Sequence, residues 1–89
     1  MRINEKLSYE KISEKYVIMN NDDSLFDNST IIILNETASY ILDCLKNKLD
    51  NEQIVKNITK EYSVSYHEAC HDLNGCLEDL KAKRILIDD

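Results

Sequence analysis

The spacing of apolar residues changes part-way along the chain, from short β-prone runs to the three- and four-residue spacing of helices. Residues 16–19 (Tyr-Val-Ile-Met) and 31–34 (Ile-Ile-Ile-Leu) are rich in branched aliphatic side chains, which favour extended backbone. Residues 9–12 predict a shorter partner strand. The loop before the last strand carries Leu25 and Phe26, which we expect to pack against the sheet. The pattern predicts a small N-terminal antiparallel sheet of three strands.

Three helices are predicted after this sheet, each beginning at a residue that caps helix N-termini. Asn35 precedes an apolar stripe that predicts the first helix over residues 36–47. Asp50 and Ser65 precede the second and third helices, and each is followed three residues later by Gln or Glu, as in a capping box. The third helix is predicted to be the longest.

These elements together predict an α+β fold of the winged helix-turn-helix type. Two helices are joined by a three-residue turn at residues 63–65, with strands before them and an extended segment at residues 85–87 after them. We expect residues 1–89 to form a single domain, with residues 1–8 as a flexible N-terminal tail. The fold alone does not identify a function, because one fold hosts many.

The composition limits the functions that such a domain can have. The chain has 89 residues and a net charge of −6, so its core is modest and its charge has the wrong sign for binding phosphates. No apolar run reaches the roughly 20 residues that cross a membrane, and residues 1–6 lack the apolar segment of a secretory signal. Three cysteines without Cys-x-x-Cys spacing fit a reducing compartment. We therefore expect a cytoplasmic protein with no membrane partner.

Nucleic-acid binding is the alternative function that a winged helix suggests. A recognition helix presents basic or amide groups near its N-terminal half. In this chain that half carries Glu68 and Asp72, and the basic residues lie at the far end of the helix. We expect no nucleic-acid partner, and an affinity for duplex DNA that falls steeply with salt would favour this alternative.

His67, Cys70 and His71 form the one pattern that resembles a metal site. Their spacing places them on one helix face, and imidazole with thiolate suits zinc, but a structural site needs four ligands and the chain offers no second cluster. Cys44 and Cys76 fall at core-leaning helix positions, which does not favour a reactive thiolate. We expect no catalytic residue, metal or cofactor, and a small metal or redox protein is the third hypothesis.

Residues 34–38, Leu-Asn-Glu-Thr-Ala, resemble the PqqD-like family, small domains named for a protein of pyrroloquinoline quinone biosynthesis. The resemblance extends over residues 9–87 and rests on the order and spacing of several short motifs. They include Tyr-x-Val before the third helix and a closing Leu-x-x-Leu followed by Ile-Leu. The chain departs from the family at two turns, where many members have a glycine and this chain has residues 47–50 and Arg84.

The resemblance implies a non-catalytic adaptor for ribosomally made, post-translationally modified peptides, known as a RiPP recognition element. Such domains bind the leader of a precursor peptide and present its core to a modifying enzyme, often a radical S-adenosylmethionine (radical SAM) protein. In that family the leader adds as a strand to the third strand, in the cleft beside the third helix. Carried onto this chain, the docking strand is Ile31, Ile32 and Ile33. A free strand edge can also pair with its own copy, so a homodimer is a second use of the same edge.

One flank of the third helix is expected to form the other side of this cleft. The main chain of the strand would supply affinity, and side-chain pockets would select the sequence of the peptide. Lys81 is suited to an acidic leader residue, although a lysine near a helix end also compensates the helix dipole. Ordinary core packing is the alternative explanation for the apolar members of the set. The expected binding residues of the helix are Tyr66, Cys70, Leu73, Asn74, Leu77 and Lys81.

Overall fold

The computed structural model describes residues 1–20 and 31–88 of the chain. The strands of these residues form two antiparallel sheets, one of β2 (Leu7–Ile12), β3 (Lys15–Asn20) and β4 (Ile31–Ile33) and the other of β1 (Arg2–Ile3) and β5 (Leu86–Ile87). The predicted α+β winged helix-turn-helix is confirmed, but the paired β1 and β5 are additional to the three predicted sheet strands. The expected packing of Leu25 and Phe26 lies outside the described residues. The helices of the described residues are α1 (Glu36–Lys46), α2 (Asn51–Tyr62) and α3 (Tyr66–Ala82).

A two-residue turn joins β2 to β3. Ser13 and Glu14 both have positive φ, of 48° and 70°, and Ile12 pairs directly with Lys15. Positive φ at both central residues is the type I′ geometry, whose twist matches that of the two strands. Neither residue is the glycine or asparagine that usually marks this turn, so the sequence did not indicate how tight it is.

The C-terminal strand ties down the first residues of the chain, where the sequence predicts a flexible tail. β1 pairs with β5, and the buried Asn4 donates from Nδ2 to the carbonyl oxygen of Arg84 at 3.0 Å. The backbone N–H of Asn4 also donates to the carbonyl of Ile85 at 2.8 Å. The order of this segment therefore depends on partners about 80 residues later in the chain, which local composition does not reveal.

Each helix begins at the capping residue that the sequence predicts. The Asn35 side chain accepts from the N–H of Ala38 at 2.8 Å, and Asp50 forms both bonds of a capping box with Gln53. Ser65 accepts from the N–H of Glu68 at 3.1 Å, but the Glu68 side chain does not return the bond, so the cap is confirmed and the predicted capping box is not complete. Caps of this kind each stabilise a helix by about 1 kcal/mol, so the three boundaries are fixed locally. No helix in the described part of the chain has the length and apolarity needed to cross a membrane.

The first helix is fixed to the sheet by a buried hydrogen bond. Ser39 on α1 is fully buried, and its Oγ accepts from the backbone N–H of Tyr16 on β3 at 2.9 Å. Around it the helices cover the inner face of the three-stranded sheet. The largest fully buried apolar side chains are Ile18, Ile41, Leu42, Ile54, Ile58, Leu73, Leu80 and Ile85.

A charged network joins β2 and β3 to the same helix. The Tyr16 hydroxyl donates to the Asp43 carboxylate at 2.5 Å, and Lys11 forms an ion pair with the other oxygen at 2.5 Å. Burial alone would raise the pKa of Asp43, but the hydrogen bonds from Lys11 and Tyr16 outweigh it and lower that pKa. Burial, together with the Asp43 hydrogen bond, raises the pKa of Tyr16 to about 12. The network therefore holds a charged Asp43 at neutral pH and sets the position of α1 against the sheet.

Candidate functional site

The edge of β4 that faces away from β3, here called the open edge, has no strand partner among the described residues. The N–H of Leu34 donates to the carbonyl of Tyr16 at 3.0 Å, so this residue bonds towards β3. Main-chain groups alternate in direction along an antiparallel strand. Ile32, which pairs with Ile18, therefore bonds towards β3, while the N–H and C=O groups of Ile31 and Ile33 point to the open edge. The site thus offers two donors and two acceptors to an extended chain.

The isoleucine side chains of β4 alternate between the two faces of the sheet. Ile31 and Ile33 are 57% and 67% exposed, whereas Ile32 is partly buried against the core. The exposed pair lies on the face opposite the helices, together with Val17 and Met19, which pair with Ile33 and Ile31. Burial of Ile32 fixes the register of β4, because a shift by one residue would expose it and bury its neighbours.

The other edge of the same sheet, formed by β2, is less suited to a peptide. It carries Glu10 and Lys11 in neighbouring positions, and charged side chains are a common protection of sheet edges against strand addition. Lys11 is also held by Asp43 of α1. β4 consists of three isoleucines and has no such protection. The sheet is therefore open on one chemically distinct side.

A depression of about 430 Å³ lies at the end of β4, between the start of α1 and one flank of α3. We call it the Gly75 depression. A Cβ added to Gly75 would meet nothing within 4 Å, so this glycine leaves open space rather than allowing a close contact within the chain. Its walls combine small side chains with acidic groups at the rim. The lining residues are Asn35, Thr37, Ala38, His71, Asp72, Gly75, Cys76 and Asp79.

Cys76, at the base of this depression, is not a reactive thiol. Burial is the main cause that raises its pKa, to about 11, and the neighbouring Asp79 charge adds to the effect. At neutral pH the side chain is therefore an uncharged, weakly polar thiol, and it behaves as a small apolar group. The acidic rim carries less free charge than its sequence suggests, because Asp79 is paired with Lys83 at 2.6 Å.

The α3 residues that the sequence predicts as a binding flank lie in two different environments. Leu73 and Leu77 are buried in the core, 2% and 9% exposed. Tyr66, Cys70 and Asn74 line a second depression, of about 230 Å³, together with Asn51, Glu52 and Val55 of α2, and the buried Leu73 also contributes to its lining. Lys81 is exposed and lines neither depression.

The flank of α3 that adjoins the end of β4 therefore carries Gly75 and Cys76, which the sequence analysis did not select. The helical period identified the buried stripe of α3 but not which neighbouring element lies on each side of it. The unusual position of a glycine inside a long helix was the one signal in the sequence that pointed to this flank.

His67, Cys70 and His71 do not converge on one point of the surface. His71 lines the Gly75 depression, whereas Cys70 lines the depression shared with α2. Within residues 1–20 and 31–88, no group of three or more His, Cys, Asp or Glu side chains is arranged to hold a metal ion. The three cysteines are free.

The fold and this site define a small winged helix-turn-helix domain with an open strand edge beside its third helix. The chain belongs to the PqqD family, because the family model described as coenzyme PQQ synthesis protein D (PqqD) matches residues 15–86. The resemblance inferred from the sequence motifs is confirmed.

A solved structure supports the same assignment. The chain is similar to TbiB1, solved in complex with the TbiA(beta) leader peptide, with a TM-score of 0.82, 26% sequence identity and coverage of 100% of both chains. No curated protein sequence matches the chain at a significant level. The structural similarity extends over the whole chain, so it includes the strands and helices that form the open edge and its neighbouring depression.

Proposed function

We propose that this protein is an adaptor that binds the leader of a ribosomally made precursor peptide by strand addition to β4. The observation that carries the proposal is the open edge, where Ile31 and Ile33 direct main-chain groups outward. Membership of the PqqD family and similarity to TbiB1, whose structure contains a leader peptide, support it. Extended peptides bind sheet edges in this way because main-chain hydrogen bonds supply affinity independently of sequence.

The adaptor has no catalytic step of its own in this proposal. It holds the leader while the core of the precursor is presented to a modifying enzyme, which we propose to be a radical SAM protein. We place this work in the cytoplasm, where ribosomes make the precursor and where free cysteines such as Cys44, Cys70 and Cys76 stay reduced.

Two proline substitutions in β4 test the proposal, because adjacent amides point in opposite directions. Ile33→Pro removes the donor that faces the open edge, and we expect the folded variant to bind the leader at least about fivefold more weakly, as the loss of one hydrogen bond of about 1 kcal/mol predicts. Ile32→Pro removes a donor to β3, so its main effect should be a lower free energy of unfolding. The measurement is fluorescence anisotropy of a labelled leader peptide encoded next to this protein's gene, with thermal unfolding in parallel.

Ile33→Ala is the matched control, because it removes the same side chain and keeps the amide. If the proline and alanine variants are both folded and have the same affinity for the leader as each other, the amide makes no contribution and strand addition at this edge is wrong. If the wild-type protein shows no saturable binding at tens of micromolar peptide, the adaptor function itself is contradicted. Dissociation of a wild-type dimer by the leader would show that leader and second copy compete for the same edge.

We further propose that the leader passes over the Gly75 depression when it leaves the end of β4. The support is that Asn35, Thr37 and Ala38, which follow β4 directly, form one wall of that depression. The alternative prediction uses the Tyr66 flank, whose depression is shared with α2 and includes no residue of β4 or α1. The two flanks differ in chemistry, since the first offers open space above a helical glycine and the second offers an exposed tyrosine.

Adjacent substitutions on α3 distinguish the two flanks. Gly75→Leu fills the first depression and Asn74→Leu narrows the second, and both residues are exposed and helix-compatible. We expect Gly75→Leu to change leader affinity at least about fivefold and Asn74→Leu to leave it within about twofold, measured by the same anisotropy assay. The reverse result would assign the leader to the Tyr66 flank.

A further inference from the structure

The outer face of the three-stranded sheet, opposite the helices, is an exposed apolar surface next to the open edge. Ile12, Met19, Ile31 and Ile33 are 54%, 40%, 57% and 67% exposed, and Val17 is partly exposed among them. The strand register places all five on one face, since Met19 pairs with Ile31 and Val17 pairs with Ile33. These four exposed side chains are most of the exposed large hydrophobic residues in the described part of the chain.

The apolar part of this face is concentrated on the side of the leader edge. Met19 pairs with Ile31 of β4 on one side and with Ser8 of β2 on the other. Val17 likewise pairs with Ile33 of β4 and with Glu10 of β2. In these two pairs the face therefore changes from apolar at β4 to polar at β2, whereas Ile12 lies away from β4, beside Lys15 at the hairpin end of β2. An apolar centre with a polar rim is the usual anatomy of a protein interface.

A leader strand added to β4 would extend this same face. Side chains alternate along a strand, so leader residues opposite Ile31 and Ile33 lie on the outer face beside them. From this continuity we propose that the outer face, completed by the bound leader strand, is the docking surface for the modifying enzyme. The inference rests on the proposed leader binding. In it, the enzyme contacts apolar side chains of the adaptor and of the bound leader at the same time.

The size of the surface favours a composite interface over a second copy of the adaptor. A stable interface buries about 800 Å² on each partner. Such an interface takes about 20–30 residues on each side, so the five apolar side chains supply only a small part of one, and an added leader strand enlarges the face. Because the leader supplies part of the contact, the enzyme binds the leader-loaded adaptor more tightly than the empty one. By thermodynamic linkage, the enzyme must then raise the affinity for the leader by the same factor.

Met19→Lys tests this surface without touching the open edge, because Met19 lies on the central strand β3. We expect the variant to bind the labelled leader peptide within about twofold of wild type and to bind the enzyme at least about tenfold more weakly when loaded, a difference of about 1.4 kcal/mol. His67→Lys is the matched control, since it adds the same side chain at an exposed position of α3. The probe is the purified modifying enzyme encoded beside this protein's gene, measured by biolayer interferometry with and without the leader.

Each result decides for or against the surface. Tenfold tighter binding of the enzyme to the loaded wild-type adaptor, lost in Met19→Lys and kept in His67→Lys, supports it. Equal enzyme affinity with and without leader, an unaffected Met19→Lys variant, or no enzyme binding to the loaded adaptor overturns it. A wild-type dimer that Met19→Lys dissociates would assign the face to a second copy and also overturn it. Failure of the leader alone to bind the wild-type protein would instead contradict the proposed function, so the two failures are distinguishable.

Discussion

Lys48 and Arg84 adopt a left-handed backbone conformation that glycine reaches without strain, each with φ of 61°. Each residue follows the C-cap of a helix, which is Asn47 for α1 and Lys83 for α3. After α1, the N–H of Leu49 donates to the carbonyl of Cys44, and after α3 the N–H of Ile85 donates to the carbonyl of Leu80. Both are Schellman motifs, in which glycine is usual at this position. Many members of the PqqD-like family have a glycine in these two turns. Lys48 and Arg84 therefore differ from the family in side chain but keep the backbone conformation of the turn.

Arg84→Gly should therefore stabilise the protein. Removing the left-handed strain gains about 1–2 kcal/mol, and the greater freedom of glycine in the unfolded chain costs about 0.5–1 kcal/mol, so we expect a net gain of about 0.5–1 kcal/mol. The measurement is the midpoint of urea unfolding. Ala82→Gly, two residues earlier and at the last position of α3, is the control and should not stabilise the protein, because glycine is a weaker helix former than alanine. Equal loss of stability in both variants would contradict the strain at Arg84.

At the residue scale, the sequence predicts what is determined by near neighbours. The caps at Asn35, Asp50 and Ser65 depend on atoms three residues away, and all three predictions are confirmed. The roles of Asn4 and Ser39 depend instead on backbone groups in distant elements, to which they bond at Arg84 and at Tyr16. Local pattern carries no information on such partners, so these buried polar residues were not identified.

At the element scale, β4 pairs with β3 on one side and has no strand partner on the other within residues 1–20 and 31–88. Its pairing with β3 fixes which amides are bonded, and Asn35 starts α1 two residues after the strand ends. Amide hydrogen exchange should report this difference directly. In the free protein we expect fast exchange at Ile31 and Ile33 and slower exchange at Ile32 and Leu34, whose N–H groups point towards β3.

Addition of the leader peptide should slow exchange at Ile31 and Ile33 at least about tenfold and change Ile32 little, because only the outward amides gain a partner. The measurement is residue-resolved exchange by nuclear magnetic resonance, with and without saturating leader. The reference amide is Leu34, which donates to Tyr16 in the structure and should keep its rate. Unchanged rates at both outward amides, with the leader bound, would place the peptide elsewhere.

Most elements could be predicted from the sequence, because apolar periodicity reports which face of each element is buried. The same signal does not report which element lies beside which. The pairing of β1 with β5 joins two short segments at opposite ends of the chain: the extended segment at residues 85–87 was predicted, but its strand partner was not. For α3 the buried stripe was identified, but the placement of its flanks against α1 or α2 came only from the structure.

At the scale of the whole molecule, charge separates this domain from winged helices that bind nucleic acid. The net charge is −6, and the exposed N-terminal half of α3 carries Glu68 and Asp72, where a recognition helix would present basic groups. Phosphates bind by releasing counterions to lysine and arginine, and this surface offers the opposite sign. The similar structure, that of TbiB1, likewise contains a leader peptide. The charge distribution thus disfavours partners that present phosphates.

We therefore expect no saturable binding of a fluorescent DNA duplex at about 50 mM salt, a condition that favours phosphate contacts. The labelled leader peptide, measured in the same buffer, is the control for a competent protein. The double variant Glu68→Lys and Asp72→Lys should gain a weak duplex affinity that disappears as salt is raised, because it restores basic groups to the helix face. Duplex binding by the wild-type protein with a steep salt dependence would contradict this assignment. If wild type and double variant both fail to bind, shape as well as charge excludes DNA.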